Sequence, residues 1–366
     1  MNKWFFAGIT ALSLLSCQPK SEEANELTML VGTYTNDGSE GIYTFRFNQE
    51  SGRTTPLSSV KVVNPSYVIP SIDGKYVYAV TETNDSTAAL HSYKFNKTTG
   101  TLTYINTQLT FGEDPCYIAT NGKIVVTANY TGGSMSVFPL RSDGGIEPID
   151  TLFCGTIGGP DLWRQRIPHV HCTYFSPDNK YIFATDFSAD RILRYDINTG
   201  TVRPIDREVT THLEADYGPR HMEFSSDGRH AYVVGELSDE ITLMDYSEGI
   251  LTTRQVVKGS EAGARGGADI HLSPNGKFLY ASHRLKEDGI SIFSVASDGT
   301  LNKIGYQQTG IHPRNFCITP NGKYLLCACR DSNVIQVYNI DSQTGLLSNT
   351  GLDIAVSQVV CVKFVK

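Results

Sequence analysis

The stretch from Pro65 to Glu82 reads PSYVIPSIDGKYVYAVTE. A proline opens a short apolar run, Asp73-Gly74-Lys75 interrupts it, and a second run with alternating apolar residues follows. Asp-Gly between two such runs predicts a β-hairpin, because glycine adopts positive φ without steric cost. The pattern returns at Pro115 to Tyr130, Val170 to Phe187, Pro219 to Glu236, Gly267 to Arg284 and Pro313 to Arg330. Asn121-Gly122, Asp227-Gly228, Asn275-Gly276 and Asn321-Gly322 hold the turn in four of these copies. Asp178-Asn179 is the variant without glycine, and asparagine tolerates the same backbone conformation. Successive copies start about 50 residues apart, the period of a four-stranded propeller blade.

A third alternating run follows each pair, as at Ile192 to Ile197, Ile241 to Tyr246, Ile290 to Val295 and Val334 to Ile340, and a weaker fourth comes after it. Each repeat thus supplies four antiparallel strands, A to D. Six copies contain strand A, and the two chain ends supply a seventh blade between them. Val359 to Phe364 matches strand A, while Thr28 to Tyr34, Gly41 to Phe47 and Leu57 to Val63 match B, C and D. The expected fold is an all-β, seven-bladed propeller over residues 27–366, one domain, with its ring closed by the shared blade.

The first residues read as a processing signal. Lys3 precedes an apolar run from Trp4 to Leu15, too short for a membrane span, and Leu14-Leu15-Ser16-Cys17 resembles a bacterial lipobox. Residues 1–17 are then a lipoprotein signal, Cys17 is lipidated and 18–26 form a polar tether. The chain is expected outside the cytoplasm, on the periplasmic or surface side of the envelope, touching membrane only through that anchor. Seven further cysteines, an odd number, do not suggest a disulfide framework; Cys317, Cys327, Cys329 and Cys361 sit in apolar runs and read as core. The net charge of −7 argues against a nucleic-acid partner.

Strands A and B are joined by the Gly-Lys turn, so the start of A and the end of B lie together at the other end of the blade. Aligning the repeats gives one column of Ser66, Cys116, His171, Arg220, Ala268, Arg314 and about Gln358, and a second of Tyr34, Glu82, Tyr130, Phe187, Glu236, Arg284 and Arg330. Framework positions repeat the same residue types, whereas these diverge toward charge from blade to blade. If A is the innermost strand, they converge on one mouth of the channel. The long connections Gly155 to Pro168, Thr210 to Gly218 and Gly259 to Gly267 enter there as well, as substrate-facing loops of a rigid scaffold do. A purely structural account of the same residues would make His171 a core histidine, Arg220 and Glu236 an ion pair within one blade, and Arg330 a partner of Asp331. His169 and His171 lack a third zinc ligand by spacing, and the Gly-Gly pairs precede no helix, so neither a metal nor another cofactor is expected, although loop carbonyls leave calcium open.

Asn129-Tyr130 with Gly132-Gly133, Arg164-Gln165 with Pro168-His169-Val170-His171, Gly218-Pro219-Arg220-His221, Gly235-Glu236-Leu237 and His312-Pro313-Arg314 resemble segments of the propeller lactonases. That family contains the cycloisomerase-type 6-phosphogluconolactonases and the carboxy-cis,cis-muconate lactonizing enzymes. The resemblance implies that His171, Arg220, Glu236 and Arg284 line an active site. Glu236 or His171 would be the base that activates water, while Arg220, Arg284 and Arg314, with His169 and Tyr130, would bind a small anionic lactone or sugar acid. No Ser or Cys nucleophile with a base partner is recognisable, which favours direct attack by water. A lactonizing isomerase and a non-catalytic propeller that binds a glycan or protein at the envelope are the alternatives.

Overall fold

The computed structural model of the protein describes residues 25–198, 201–204 and 210–365. The signal segment with Cys17, and the tether up to residue 24, lie outside the described residues. Seven antiparallel sheets form seven blades, with no α-helix among the described residues. The shared blade orders its strands as Thr54–Lys61, Gly41–Asn48, Glu26–Thr33 and Val359–Val365, so the last strand of the chain pairs with the first. Val31 stands opposite Val362. Two other blades carry a short extra strand, Thr211–His212 and Ile354–Ala355.

The turns follow the sequence chemistry. Gly74, Gly122, Gly228, Gly276 and Gly322 have φ between 66° and 82°, and Asn179 takes 56° in the copy without glycine. The core lies between blades, where Val77, Val80 and Leu90 of one sheet pack with Ile118, Val125 and Phe138 of the next. Side chains also pin neighbouring blades at their C–D turns. Tyr232 donates to the Gly299 carbonyl at 2.8 Å and Tyr280 to the Gly345 carbonyl at 2.9 Å. Cys317, Cys327, Cys329 and Cys361 are buried free thiols, as their apolar settings predict.

One backbone feature recurs where the blades meet the axis. The residue after strand B donates its amide to the carbonyl just before strand A in every blade, from Tyr34 to Gln358, Glu82 to Asn64 and Glu236 to Gly218, at 2.8–3.0 Å for these three. The accepting residue is left-handed at Asn64, Asp114, Gly218, His312 and Gln358, with φ of 42–63°. A β-bulge follows in six of the seven strands. Pro219 pairs with Gly235 and His221 with Val234, which leaves Arg220 unpaired. His171, Cys116 and Arg314 occupy the same extra position. Bulges re-aim a side chain out of the sheet. The register also corrects one column assignment. Val359 pairs with Thr33 and Cys361 with Gly32, so the seventh column residue is Val360, and Gln358 instead supplies the accepting carbonyl.

Val359, Val360, Val362, Phe364 and Val365 are all buried. Each such side chain contributes about 1.5–3 kcal/mol, so together they approach the whole stability of a domain, about 5–15 kcal/mol. A chain lacking residues 357–366 should show no cooperative thermal transition by circular dichroism; a sharp melt near that of the intact chain would contradict closure by the shared blade.

Candidate active site

The re-aimed side chains meet around Glu236. Arg220 donates from Nε to Glu236 Oε2 at 2.9 Å, and Arg284 Nη2 lies 3.1 Å from the same oxygen. Arg164 donates to Oε1. Glu236, Arg220, Arg284 and His171 are each no more than 6% exposed. Burial opposes ionisation of Glu236, but Arg284, Arg220 and Arg164 overcome it and hold the carboxyl down at about 2. An unpaired carboxylate could not remain charged at such a depth.

Arg164 comes from the long loop ahead of His169. Asp161 Oδ1 accepts from the amides of Trp163 at 2.7 Å and Arg164 at 3.1 Å, which turns the chain and presents Arg164 inward. Asp161 Oδ2 takes Arg265 at 2.5 Å, and Arg265 also bonds Asp216 at 2.6 and 2.7 Å. One arginine therefore ties together the three long loops over this mouth.

Glu236, Arg164, His171, Tyr130 and Arg314 line a cavity of about 170 Å³ together with Glu82, Asp114 and Cys116. That is below the range of about 300–1,000 Å³ of drug-sized sites, so it admits one small molecule. Glu82 accepts from Tyr34 at 2.7 Å and from Ser66. Arg314 stands apart from the other arginines. Its guanidinium lies over the Tyr34 ring at 5.7 Å and its only ion pair is with Glu82 at 3.9 Å; no side-chain hydrogen bond engages it among the described residues. The lining itself holds two guanidiniums, Arg164 and Arg314, against the carboxylates of Glu82, Asp114 and Glu236, and Arg220 and Arg284 on Glu236 bring the cluster to four cations against three carboxylates.

His171 is neutral. Burial, then Arg220, His221, Arg314 and Arg284, push its imidazole well below the ordinary range. Its Nδ1 is 3.8 Å from Cys116 Sγ. The sequence shows no such cysteine–histidine pair, because Cys116 and His171 lie in different repeats. Burial, with Glu82 adding to it, raises the Cys116 thiol, so it stays protonated and is not a thiolate nucleophile. His169 lies behind the cavity lining. Its ring stacks on Tyr130 at 4.2 Å, and Nδ1 donates to the Tyr130 carbonyl at 2.8 Å, so it props Tyr130 in place. Arg220 and Arg284 sit behind Glu236, and Arg330 bonds Asp331 at 2.6 Å. Among the described residues no group of three or more His, Cys, Asp or Glu side chains is arranged to hold a metal ion.

Residues 28–364 match the family described as "Lactonase, 7-bladed beta-propeller". The chain belongs to this family. It is 35% identical over 342 residues to a 6-phosphogluconolactonase of Formosa agariphila, covering 90% of this chain and 97% of that one. It superposes on a candidate 6-phosphogluconolactonase from Bacteroides uniformis with a TM-score of 0.92 at 60% identity, covering 93% and 100% of the two chains. A periplasmic gluconolactonase of Pseudomonas aeruginosa superposes with a TM-score of 0.88 at 29% identity, covering 93% and 99%.

Replacing Glu236 with Gln strands the buried Arg220 and Arg284 and the half-buried Arg164, and breaking a buried pair in this way costs about 3–5 kcal/mol. Because the folded-state carboxyl of wild type is depressed, its stabilising contribution is complete above the unfolded value of about 4.3 and is lost as pH falls toward about 2. Denaturant melts should therefore show the gap between wild type and Glu236→Gln shrinking across that window. A gap independent of pH would contradict the ion-pair account.

Proposed function

We propose that this protein hydrolyses a small lactone of an anionic sugar acid, such as one carrying a phosphate or a carboxylate, by direct attack of water, and that it does so outside the cytoplasm as a lipid-anchored protein. The observation that carries the reading is Arg314, a charged guanidinium that lines the cavity with only a long ion pair to Glu82 and no side-chain hydrogen bond among the described residues. An anionic substituent of the substrate supplies the missing partner. The names of the similar proteins point to sugar lactones as the substrate class. The export signal points away from a cytosolic sugar phosphate and toward an envelope substrate, which fits the periplasmic relative.

The chemistry then divides among the residues. Water attacks the lactone carbonyl carbon, and His171 accepts its proton. The carbonyl oxygen becomes an oxyanion facing the guanidinium of Arg164, which lines the cavity with His171. Collapse of this intermediate breaks the ring C–O bond, and His171 returns the proton to the departing ring oxygen as a hydroxyl. The product is the open hydroxy acid, which leaves as its carboxylate. Glu236 is ill-suited to be the base, because both of its oxygens are held by arginines and its carboxyl lies at about 2. Its part is to hold three guanidiniums in place. The substrate anion enters among the cations that depress His171 and so restores basicity to the imidazole when it is needed.

Purified protein should open 6-phosphogluconolactone or a lactone with a free carboxylate faster than the spontaneous rate, with higher kcat/KM than for neutral gluconolactone. His171→Asn should lower kcat by about 10²–10⁴-fold, the usual contribution of a positioned base. Arg314→Gln should act mainly on KM for the anionic substrates and little on the neutral one. No acceleration on any of these lactones would favour the non-catalytic alternative.

A further inference from the structure

A chain of hydrogen bonds runs along the channel, away from the cavity. Arg220 Nη1 donates to His221 Nε2 at 3.1 Å and to the Ala268 carbonyl at 2.6 Å. His221 Nδ1 meets Asp269 Oδ1 at 2.7 Å. Asp269 Oδ2 lies 3.2 Å from His271 Nε2, and His271 Nδ1 lies 2.7 Å from Glu223 Oε2. His271 and Glu223 line a separate cavity of about 610 Å³ at the opposite mouth.

The chain fixes the tautomer of His221. Asp269 also accepts from the amides of Ile270 and Phe316, both at 3.1 Å, and from the Asn315 side chain, so it is a committed acceptor. Burial alone would raise its carboxyl, but His271 and His221 pull it well below the usual range. His221 must therefore carry its proton on Nδ1 and present a bare Nε2 to Arg220. Burial and the neighbouring Arg220 keep the imidazole neutral, at about 3. Tyr117 and His171 hold its ring edge-on at 5.0 and 5.2 Å. With Nε on Glu236 and Nη1 on His221 and Ala268, Nη2 is the one nitrogen of the Arg220 guanidinium with no partner among the described residues.

We propose that His221 and Asp269 are positioning residues of the lactone-opening site: Asp269 sets the tautomer of His221, and the Nε2 lone pair of His221 fixes the Arg220 guanidinium, which holds Glu236 and through it the Arg164 guanidinium that faces the oxyanion. This rests on the hydrolytic reading above. Donors that await developing charge act on kcat more than on KM, since they gain strength only in the transition state.

His221→Leu, which removes the acceptor, should lower kcat by about tenfold or more, up to the roughly 10²–10³-fold that loss of an oxyanion donor gives, with KM changed no more than about threefold. His221→Gln keeps an acceptor at the position of Nε2 and should recover most of that loss. Both variants are compared only after a cooperative melt shows that they fold. Nitrogen-15 NMR of the imidazoles, with the His221 signals assigned by their disappearance in His221→Gln, should show His221 neutral and protonated at Nδ1. Equal losses in the leucine and glutamine variants, a folded leucine variant with wild-type kcat, or a His221 protonated at Nε2 would each overturn the proposal. If wild type opens none of the lactones, the hydrolytic reading fails by itself, and the NMR measurement still decides whether Asp269 sets the tautomer.

Discussion

The backbone hydrogen bond that closes each blade at the axis determines where every side chain of the site stands. It joins the amide after strand B to the carbonyl before strand A, at 2.8–3.1 Å in all seven blades. The left-handed residue at the acceptor and the bulge that follows are the local consequences of making that bond while the innermost strand turns toward the channel. A regular ladder would point successive side chains at the two faces of the sheet, into the packed interfaces between blades. In six of the seven blades the bulge releases one residue from that alternation. His171, Arg220 and Arg314 are side chains of this kind, and Glu236 and Arg284 sit directly on the closing bond.

Concentrating charge in this way is unfavourable unless each group is paired. Desolvation of a guanidinium or a carboxylate costs several kcal/mol even after relaxation. The structure meets this with one acid shared among several bases, rather than with separate pairs. Glu236 serves Arg164, Arg220 and Arg284, while backbone carbonyls of Ala268, Gly266 and Gly267 take further guanidinium hydrogens. The Gly266 carbonyl does so while also accepting the closing bond from the Arg284 amide. Arg284 shows how far the site is from solvent: burial, despite Glu236, lowers its guanidinium to about 9. Such a site is arranged in advance, and its donors need not reorganise when substrate arrives.

Much of this was legible in the sequence, for a definite reason. The turn end of each hairpin is purely structural, so Asp-Gly or Asn-Gly recurs at Gly74, Gly122, Gly228, Gly276 and Gly322, and fixes the period. Counting back from those turns finds the columns at the other end, including His171, Arg220, Glu236, Arg284 and Arg314. The counting fails where the number of residues varies. The shared blade has no A–B turn to count from, so aligning the repeats puts its column residue at about Gln358, two positions short of Val360. In the blade that begins at Gly267 the count holds, with Ala268 in the column, and Asp269 is missed because it is the next residue along, its amide on the Ser282 hydroxyl. Arg164 reaches Glu236 from a loop with no periodicity, 72 residues away. Glu82 stood in its column, but only the structure brings it against Tyr34, Ser66 and Arg314.

The two ends of each A–B hairpin therefore carry different burdens. At the turn end, glycine and asparagine satisfy a backbone requirement that any sequence with this fold must meet. At the closing end, the requirement is met by main-chain atoms alone, since the closing bond and the bulge involve no side chain. The residues there are free of the fold and bound only by one another. Cys116, Ala268 and Val360 occupy the same structural position as His171, Arg220 and Arg314, and the backbone accommodates all six. What selects arginine and histidine on three of these blades is then the mutual electrostatics of the cavity and of what enters it, not the stability of the blade. A ring of this kind can exchange one small ligand for another by altering those positions while its sheets remain as they are.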